Sequence, residues 1–287
     1  MTRRAPPDNL RGGVWLIADL SLNIWALAIV KSLGLAFPAV QLVFLRSLVG
    51  LFLIAPLAWR NRHIFAGLPD RHLHFLRIAL SAVTLSASFF AIAKVPLATF
   101  TAVGFTRPIV TMVMAATLLG EPIGPRRWIA AAIAFLGVLI ALGPTGAVPP
   151  AGALGLAVTV LAGSAAIIVT RRLQPCPEIV LMLTYTAGLA AITLPFALAL
   201  WVPPSPGEWV PLIAIGCFAQ AAQFCFLRAH HLGQAGFLSV LSYLSLVLSV
   251  GVGVLVFGEV PDARFFAGAA LVISAALWVA IRHRSTG

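Results

Sequence analysis

Three ionised side chains fall inside long apolar runs of this 287-residue sequence: Asp19, Arg46 and Arg107. A charge placed in hydrocarbon is costly unless it is paired, hydrated or met by a ligand, so each is a candidate functional or paired structural group. All three lie near the middle of their runs. Two guanidiniums against one carboxylate leave a positive charge uncompensated, and a solute carboxylate would complete the set, because the planar guanidinium fork matches a carboxylate in two-point contact. Asp19 would then pair with either arginine or meet a solute ammonium.

Polar residues at helical spacing extend this candidate site. Asp19 and Asn23 share a face at i, i+4; Ser81, Thr84 and Ser88 share another; Gln220 and Gln223 share a third. Ser239, Ser242, Tyr243, Ser245 and Ser249 crowd one side of a later run. Small hydroxyl residues in membrane helices also serve close packing and interhelical hydrogen bonds, whereas two glutamine amides in hydrocarbon need partners that a wet cavity supplies. Trp25, Phe105 and Tyr243 are candidate apolar walls, Trp25 with core packing as its alternative. Glu121 and Glu259 sit beside Gly120 and Gly258 at the ends of apolar runs. That position argues for capping and loop closure over a proton relay. The six histidines lie in connections or near the interface, and the three cysteines lack a Cys-x-x-Cys spacing. No metal site, cofactor or nucleotide loop is expected.

The elements that must position these residues follow from composition. With 61% hydrophobic and 9% charged residues and a mean hydropathy of +1.03, the chain has too little polar surface for a water-soluble globule. Candidate membrane spans fall near 12–33, 37–59, 74–94, 97–119 and 126–143, then near 151–171, 179–201, 209–229, 234–257 and 264–281. Prolines such as Pro38, Pro96, Pro122 and Pro261 mark the connections. The net charge of +11 sits in those connections, so the expected partner is lipid and not nucleic acid.

Gly120-Glu121 closes one apolar run and Gly258-Glu259 closes another, 138 positions later. The chain reads as two five-helix repeats, 1–143 and 144–287, in one membrane domain. Outside the runs, Arg3, Arg4, Arg11, Arg60, Arg62, Arg71, Arg77, Arg126, Arg127, Arg171, Arg172, Arg228, Arg282 and Arg284 fall on one side. Only Lys31, Lys94 and Arg264 fall on the other. This asymmetry predicts cytoplasmic termini, and an odd number of crossings per repeat predicts that the second half is inverted. The first run, with Asp19, Asn23 and Trp25 and no small-residue cleavage site, is not expected to be a cleaved signal.

Pro96, Pro108 and Gly120-Glu121, Arg46 within Phe44-Leu45-Arg46-Ser47, and Gly258-Glu259 give the chain a pattern that resembles the EamA-type drug/metabolite transporters. Within them it is most similar to YddG-type exporters of aromatic and neutral amino acids. The resemblance implies an all-α protein of ten transmembrane helices in a bacterial inner membrane, around a central cavity walled by the first, third and fourth helices of each half. It implies export of a small metabolite by alternating access, with no enzymatic step, by a monomer or homodimer. It also assigns Arg46, Gly120, Glu121, Gly258 and Glu259 to structure. The alternatives are a sugar-phosphate, nucleotide-sugar or drug transporter of the same superfamily, or a scaffold without flux. Leu246 and Gln234 stand where Pro108 and Pro96 would recur.

Overall fold

The computed structural model describes residues 8–60, 70–119, 125–142, 148–173, 178–233, 238, 241–242 and 244–282, and every regular element among them is an α-helix. In chain order these are α1 (Asn9–Leu33), α2 (Ala39–Arg60), α3 (Arg71–Ile92), α4 (Leu97–Gly104), α5 (Arg107–Leu119) and α6 (Pro125–Leu142). They continue as α7 (Pro150–Arg172), α8 (Glu178–Ala199), α9 (Trp209–Leu232), α10 (Leu244–Phe257) and α11 (Ala263–Arg282). Helices suit lipid because each satisfies its own backbone polar groups. Among the described residues seven segments are long and apolar enough to cross a bilayer, and three further apolar helices are shorter. Phe52 is 82% and Leu255 86% exposed in the interior of their helices. Only a hydrocarbon solvent makes such uncovered side chains stable.

The fourth expected span is not one continuous helix. It breaks between α4 and α5, and the cause is Pro108, which has no N–H to donate to the carbonyl four residues back. The Phe105 amide donates to the Thr101 and Ala102 carbonyls, Thr106 donates to Val103, and both Ile109 and Val110 donate to the Thr106 carbonyl. Arg107 therefore emerges at a turn. In the span expected over 234–257, Ser242 donates to the Leu238 carbonyl at 2.9 Å, Ser245 donates to Ser242, and α10 runs from Leu244. A turn thus stands at the related place, although no proline does.

Helices pack mostly on helices from the other half of the chain: α1 on α9, α3 on α7, α2 on α8 and α9, and α6 on α11. The α6–α11 contact needs glycine on both sides. A Cβ on Gly137 would stand 2.8 Å from the Gly268 carbonyl oxygen, and one on Gly268 would strike the backbone of Gly137 and Ala141. Such small-residue seams let helix backbones approach where lipid gives no hydrophobic incentive to associate.

One end of the bundle is tied by a buried ion pair. Lys31 Nζ, at the end of α1, lies 2.8 Å from Glu259 Oε1, with side chains 13% and 18% exposed. The ammonium also donates to the Val95 carbonyl at 2.6 Å and lies over the Phe257 ring. Glu259 Oε2 accepts the Leu97 amide at 2.9 Å, so it caps α4. Gly258, at φ 65°, takes the left-handed turn that folds the carboxylate back. The capping expected of Glu259 is present, although it serves a helix of the other half. Nearby, the Gln41 side chain exchanges two hydrogen bonds with the Val202 backbone, at 2.8 and 3.0 Å.

Removing one member of a buried pair leaves the other charge uncompensated, at about 3–5 kcal/mol. Lys31→Met and Glu259→Gln should each lower the melting temperature of the detergent-solubilised protein, and the double variant should lose clearly less than the sum. Additive losses would show that the two charges do not couple.

Candidate functional site

The polar groups of α2, α8 and α9 converge on a small cavity. Arg46, Ser47 and Gly50 of α2 line it, with Tyr185 and Thr186 of α8 and Gln220 and Gln223 of α9. Its room is about 30 Å³, enough for a water or two. Any larger occupant requires the helices to part. Among the described residues no hydrogen bond or ion pair holds the Arg46 guanidinium. The residue expected to be structural is thus an unpaired cation on a cavity wall.

Arg107 is placed by the helix break and by α7. Its carbonyl accepts the Ser164 hydroxyl at 3.2 Å, which ties the turn to α7. Its guanidinium lies against the backbone of that helix: a Cβ on Gly163 would stand 3.0 Å from Nε and 3.1 Å from Cζ, with Thr84 Cγ2 at 3.2 Å. Nε is buried and has no hydrogen-bond partner.

A third guanidinium, which sequence reasoning assigned to the basic loops, belongs to the same region. Arg77 of α3 donates from Nε to Thr170 Oγ1 and from Nη1 to the Leu181 carbonyl, both at 3.0 Å. Its face lies 5.4 Å from the centroid of Tyr185. The Tyr185 phenol is within electrostatic reach of both Arg77 and Arg107 and also borders the cavity with Arg46. Tyr185 is the hub that the sequence reading missed. The signal was available: Arg77 lies within the span placed at 74–94 and continues the Ser81, Thr84 and Ser88 stripe by one turn.

Asp19 is elsewhere. It is buried on α1, accepts the Asn23 amide at 2.7 Å, and neighbours Cys225 on α9. It makes no ion pair with Arg46 or Arg107. The expected pairing fails because α1 packs on α9 and turns this carboxylate into that seam. At 3.6 residues per turn Asn23 points about 180° from exposed Val14. Asn23 is nevertheless exposed. Trp25 lies about 20° from Val14 and is 46% exposed, so it belongs to the outer, lipid-facing side and not to a cavity wall.

Ser81 and Thr84 are buried and donate to the Arg77 and Leu80 carbonyls of their own helix, at 2.8 and 2.7 Å, which makes them packing residues. Phe105 packs in two core clusters beside Val103 and Leu246. Ser242 forms the turn before α10, while Tyr243, Gly120 and Glu121 lie outside the described residues. A far larger hollow of about 540 Å³ opens between α5, α6 and α7, but Val110, Val113, Phe135, Leu156 and Leu161 make its lining almost wholly apolar. It offers nothing to orient a polar solute. The arginine region offers guanidiniums, amides and a phenol, a donor set suited to an anion, and no metal-binding group of three or more His, Cys, Asp or Glu side chains exists among the described residues.

Comparison with known proteins places the chain in a transporter family. The sequence matches the EamA-like transporter family twice, over residues 13–143 and 150–281. It is 30% identical over 286 residues to the pseudopaline exporter of Pseudomonas aeruginosa, covering 94% of this chain and 96% of that protein. It is 24% identical over 271 residues to the S-adenosylmethionine uptake transporter of Rickettsia prowazekii, covering 94% and 92%. A riboflavin transporter of Brucella anthropi is 28% identical over 256 residues, covering 84% and 88%. A crystal structure at 19% identity superposes with a TM-score of 0.66 over 96% of this chain and 99% of that one, which supports the fold alone.

The two kinds of buried cation should respond oppositely to neutralisation. Lys31 has an acid to lose, while Arg107 has none. Arg107→Met should therefore leave the melting temperature unchanged or raise it by about 2 °C or more, whereas Lys31→Met lowers it. A marked loss in Arg107→Met would show a structural partner.

Proposed function

We propose that this chain, which belongs to the EamA-like transporter family, carries a small carboxylate-bearing solute across the membrane by alternating access, with Arg46 and Arg107 receiving the carboxylate. The observation that carries this reading is a pair of guanidiniums deep within an apolar bundle and without an acid partner among the described residues: Arg46 on the wall of the Tyr185 cavity, and Arg107, whose buried Nε has no hydrogen-bond partner. A desolvated charge without a partner is retained where a ligand supplies one. The protein is a multi-pass membrane transporter; its substrate, orientation and cycle are the proposal.

The halves act as inverted repeats. Exchanging them maps α1 onto α7, α3 onto α9, α2 onto α8 and α6 onto α11, so the α1–α9 pair becomes the α7–α3 pair, and both occur. The α2–α8 and α6–α11 pairs map onto themselves. Solute sites of inverted-repeat carriers lie near mid-membrane at the repeat interface, beside interrupted helices, and the α4–α5 break at Arg107 fits that place. The Lys31–Glu259 pair closes one end, and the cavity's small volume matches an occluded or closed state.

Export of an amino acid or a related carboxylate from a bacterial cytoplasm, through the inner membrane, is the simplest physiological form of this activity. The asymmetric charge of the connections supports cytoplasmic termini. Asn23, Gln220 and Gln223 offer carbonyl oxygens for an ammonium, a part first assigned to Asp19.

Flux into liposomes holding the purified protein, with a panel of labelled amino acids and other small carboxylates, tests the activity. For a transported acid, Arg107→Lys keeps charge but loses the fork and Arg107→Gln loses both, so apparent affinity should fall in that order, by about tenfold or more in the second. Ester-blocked analogues should respond far less. Unchanged affinity in a folded Arg107→Gln protein would remove the residue from the site.

A reporter active only in the cytoplasm, fused after Gly287, should give full signal. Signal confined to a periplasmic reporter would reverse the orientation.

A further inference from the structure

The arginine region holds more positive charge than a monocarboxylate can use. Arg46 lines a cavity with Tyr185, Arg77 lies over the Tyr185 ring, Arg107 is within electrostatic reach of the phenol, and no acidic side chain among the described residues is paired with any of them. The ion pairs that are present lie elsewhere, at Arg11–Asp8 and Lys31–Glu259. Asp19, the acid expected to balance the set, faces Asn23 and Cys225 instead. Arg77 is fixed by two hydrogen bonds and by the Tyr185 ring, so it serves as a static positive charge behind the phenol. Arg46 and Arg107 remain with free donors and approach Tyr185 from different helices, α2 and α5.

From this we infer that the site is built for a solute with two anionic groups, a dicarboxylate or a phosphate-bearing carboxylate, bridging Arg46 and Arg107 across Tyr185. One anionic group neutralises one free guanidinium and leaves the other desolvated and unpaired. A second group removes that penalty. The Tyr185 hydroxyl, for which no hydrogen bond is formed within the protein among the described residues, donates to the bridging solute, and the Arg77 charge behind it strengthens that donation. The amides of Gln220 and Gln223 then contact the uncharged body of the solute, where discrimination within the class would arise.

This inference rests on the solute-binding reading above, and one experiment separates the two. Thermal unfolding of the purified protein is followed with millimolar glutarate, glutamate and phosphoserine, against the controls glutaramate, glutamine and serine, each of which lacks one anionic group, with ionic strength held constant by chloride. The inference expects half-maximal stabilisation by the dianionic members at concentrations about tenfold or more below those of their partners. It also expects that preference to collapse in Arg46→Gln and in Arg107→Gln, and to weaken in Tyr185→Phe, whose smaller change guards against simple misfolding. Preference for glutarate and glutamate over phosphoserine identifies a second carboxylate, and the reverse identifies a phosphate. Equal stabilisation by dianions and monoanions, lost in the arginine variants, would overturn the two-anion inference and leave the carboxylate site standing. Stabilisation by none of the six, or stabilisation that survives both arginine substitutions, would overturn the site itself.

Discussion

Uncompensated positive charge in a low-dielectric bundle is the constraint on which the site depends. Among the described residues Arg46 and Arg107 hold no acid, and Arg77 is satisfied by a hydroxyl and a carbonyl, not by a carboxylate. A membrane protein that needed these positions only for packing would be more stable with apolar residues there. Around that charge the backbone is shaped to fit. Pro108 breaks the helix so that Arg107 leaves a turn, the Ser164 hydroxyl donates to the Arg107 carbonyl, and Gly163 gives the guanidinium a surface to lie on.

The Lys31–Glu259 pair is the counterpart in which buried charge is fully matched. It joins the end of α1 to the loop after α10 and caps α4, the segment whose other end delivers Arg107. The arrangement links a closed end of the bundle to the helix that carries the candidate contact. One carboxylate thus meets both α1, through Oε1, and the start of α4, through Oε2. Two arrangements of charge are thus separated in space: a compensated pair, and a set of cations without acid partners among the described residues.

Much of this was legible in the sequence because lipid imposes simple rules. Apolar run length gave the helices, the 138-residue offset gave the repeat, and the rarity of intramembrane charge singled out Asp19, Arg46 and Arg107. What was not legible depended on side-chain direction and helix packing. Asp19 turns into the α1–α9 seam, and Trp25 turns outward, although both sit at suitable depth. Ser81 and Thr84 satisfy themselves on their own helix, as hydroxyls at that spacing can do anywhere. Arg77 was misplaced for a different reason: counting every arginine near a span end as a loop charge conceals one whose side chain runs inward to Thr170 and Leu181. Tyr185 carries no motif at all and becomes visible only when α8 is set against α2 and α3.

The central claim is that solute anions bind between Arg46 and Arg107 beside Tyr185. Anomalous diffraction from crystals of the full chain grown with bromosuccinate tests it most directly, because bromine marks the ligand independently of the protein phases. The account predicts one strong bromine peak in the cavity bordered by α2, α8 and α9, with carboxylate density reaching both guanidiniums. A peak beside Asn23 and Asp19, with Arg46 and Arg107 untouched by the ligand, would contradict it.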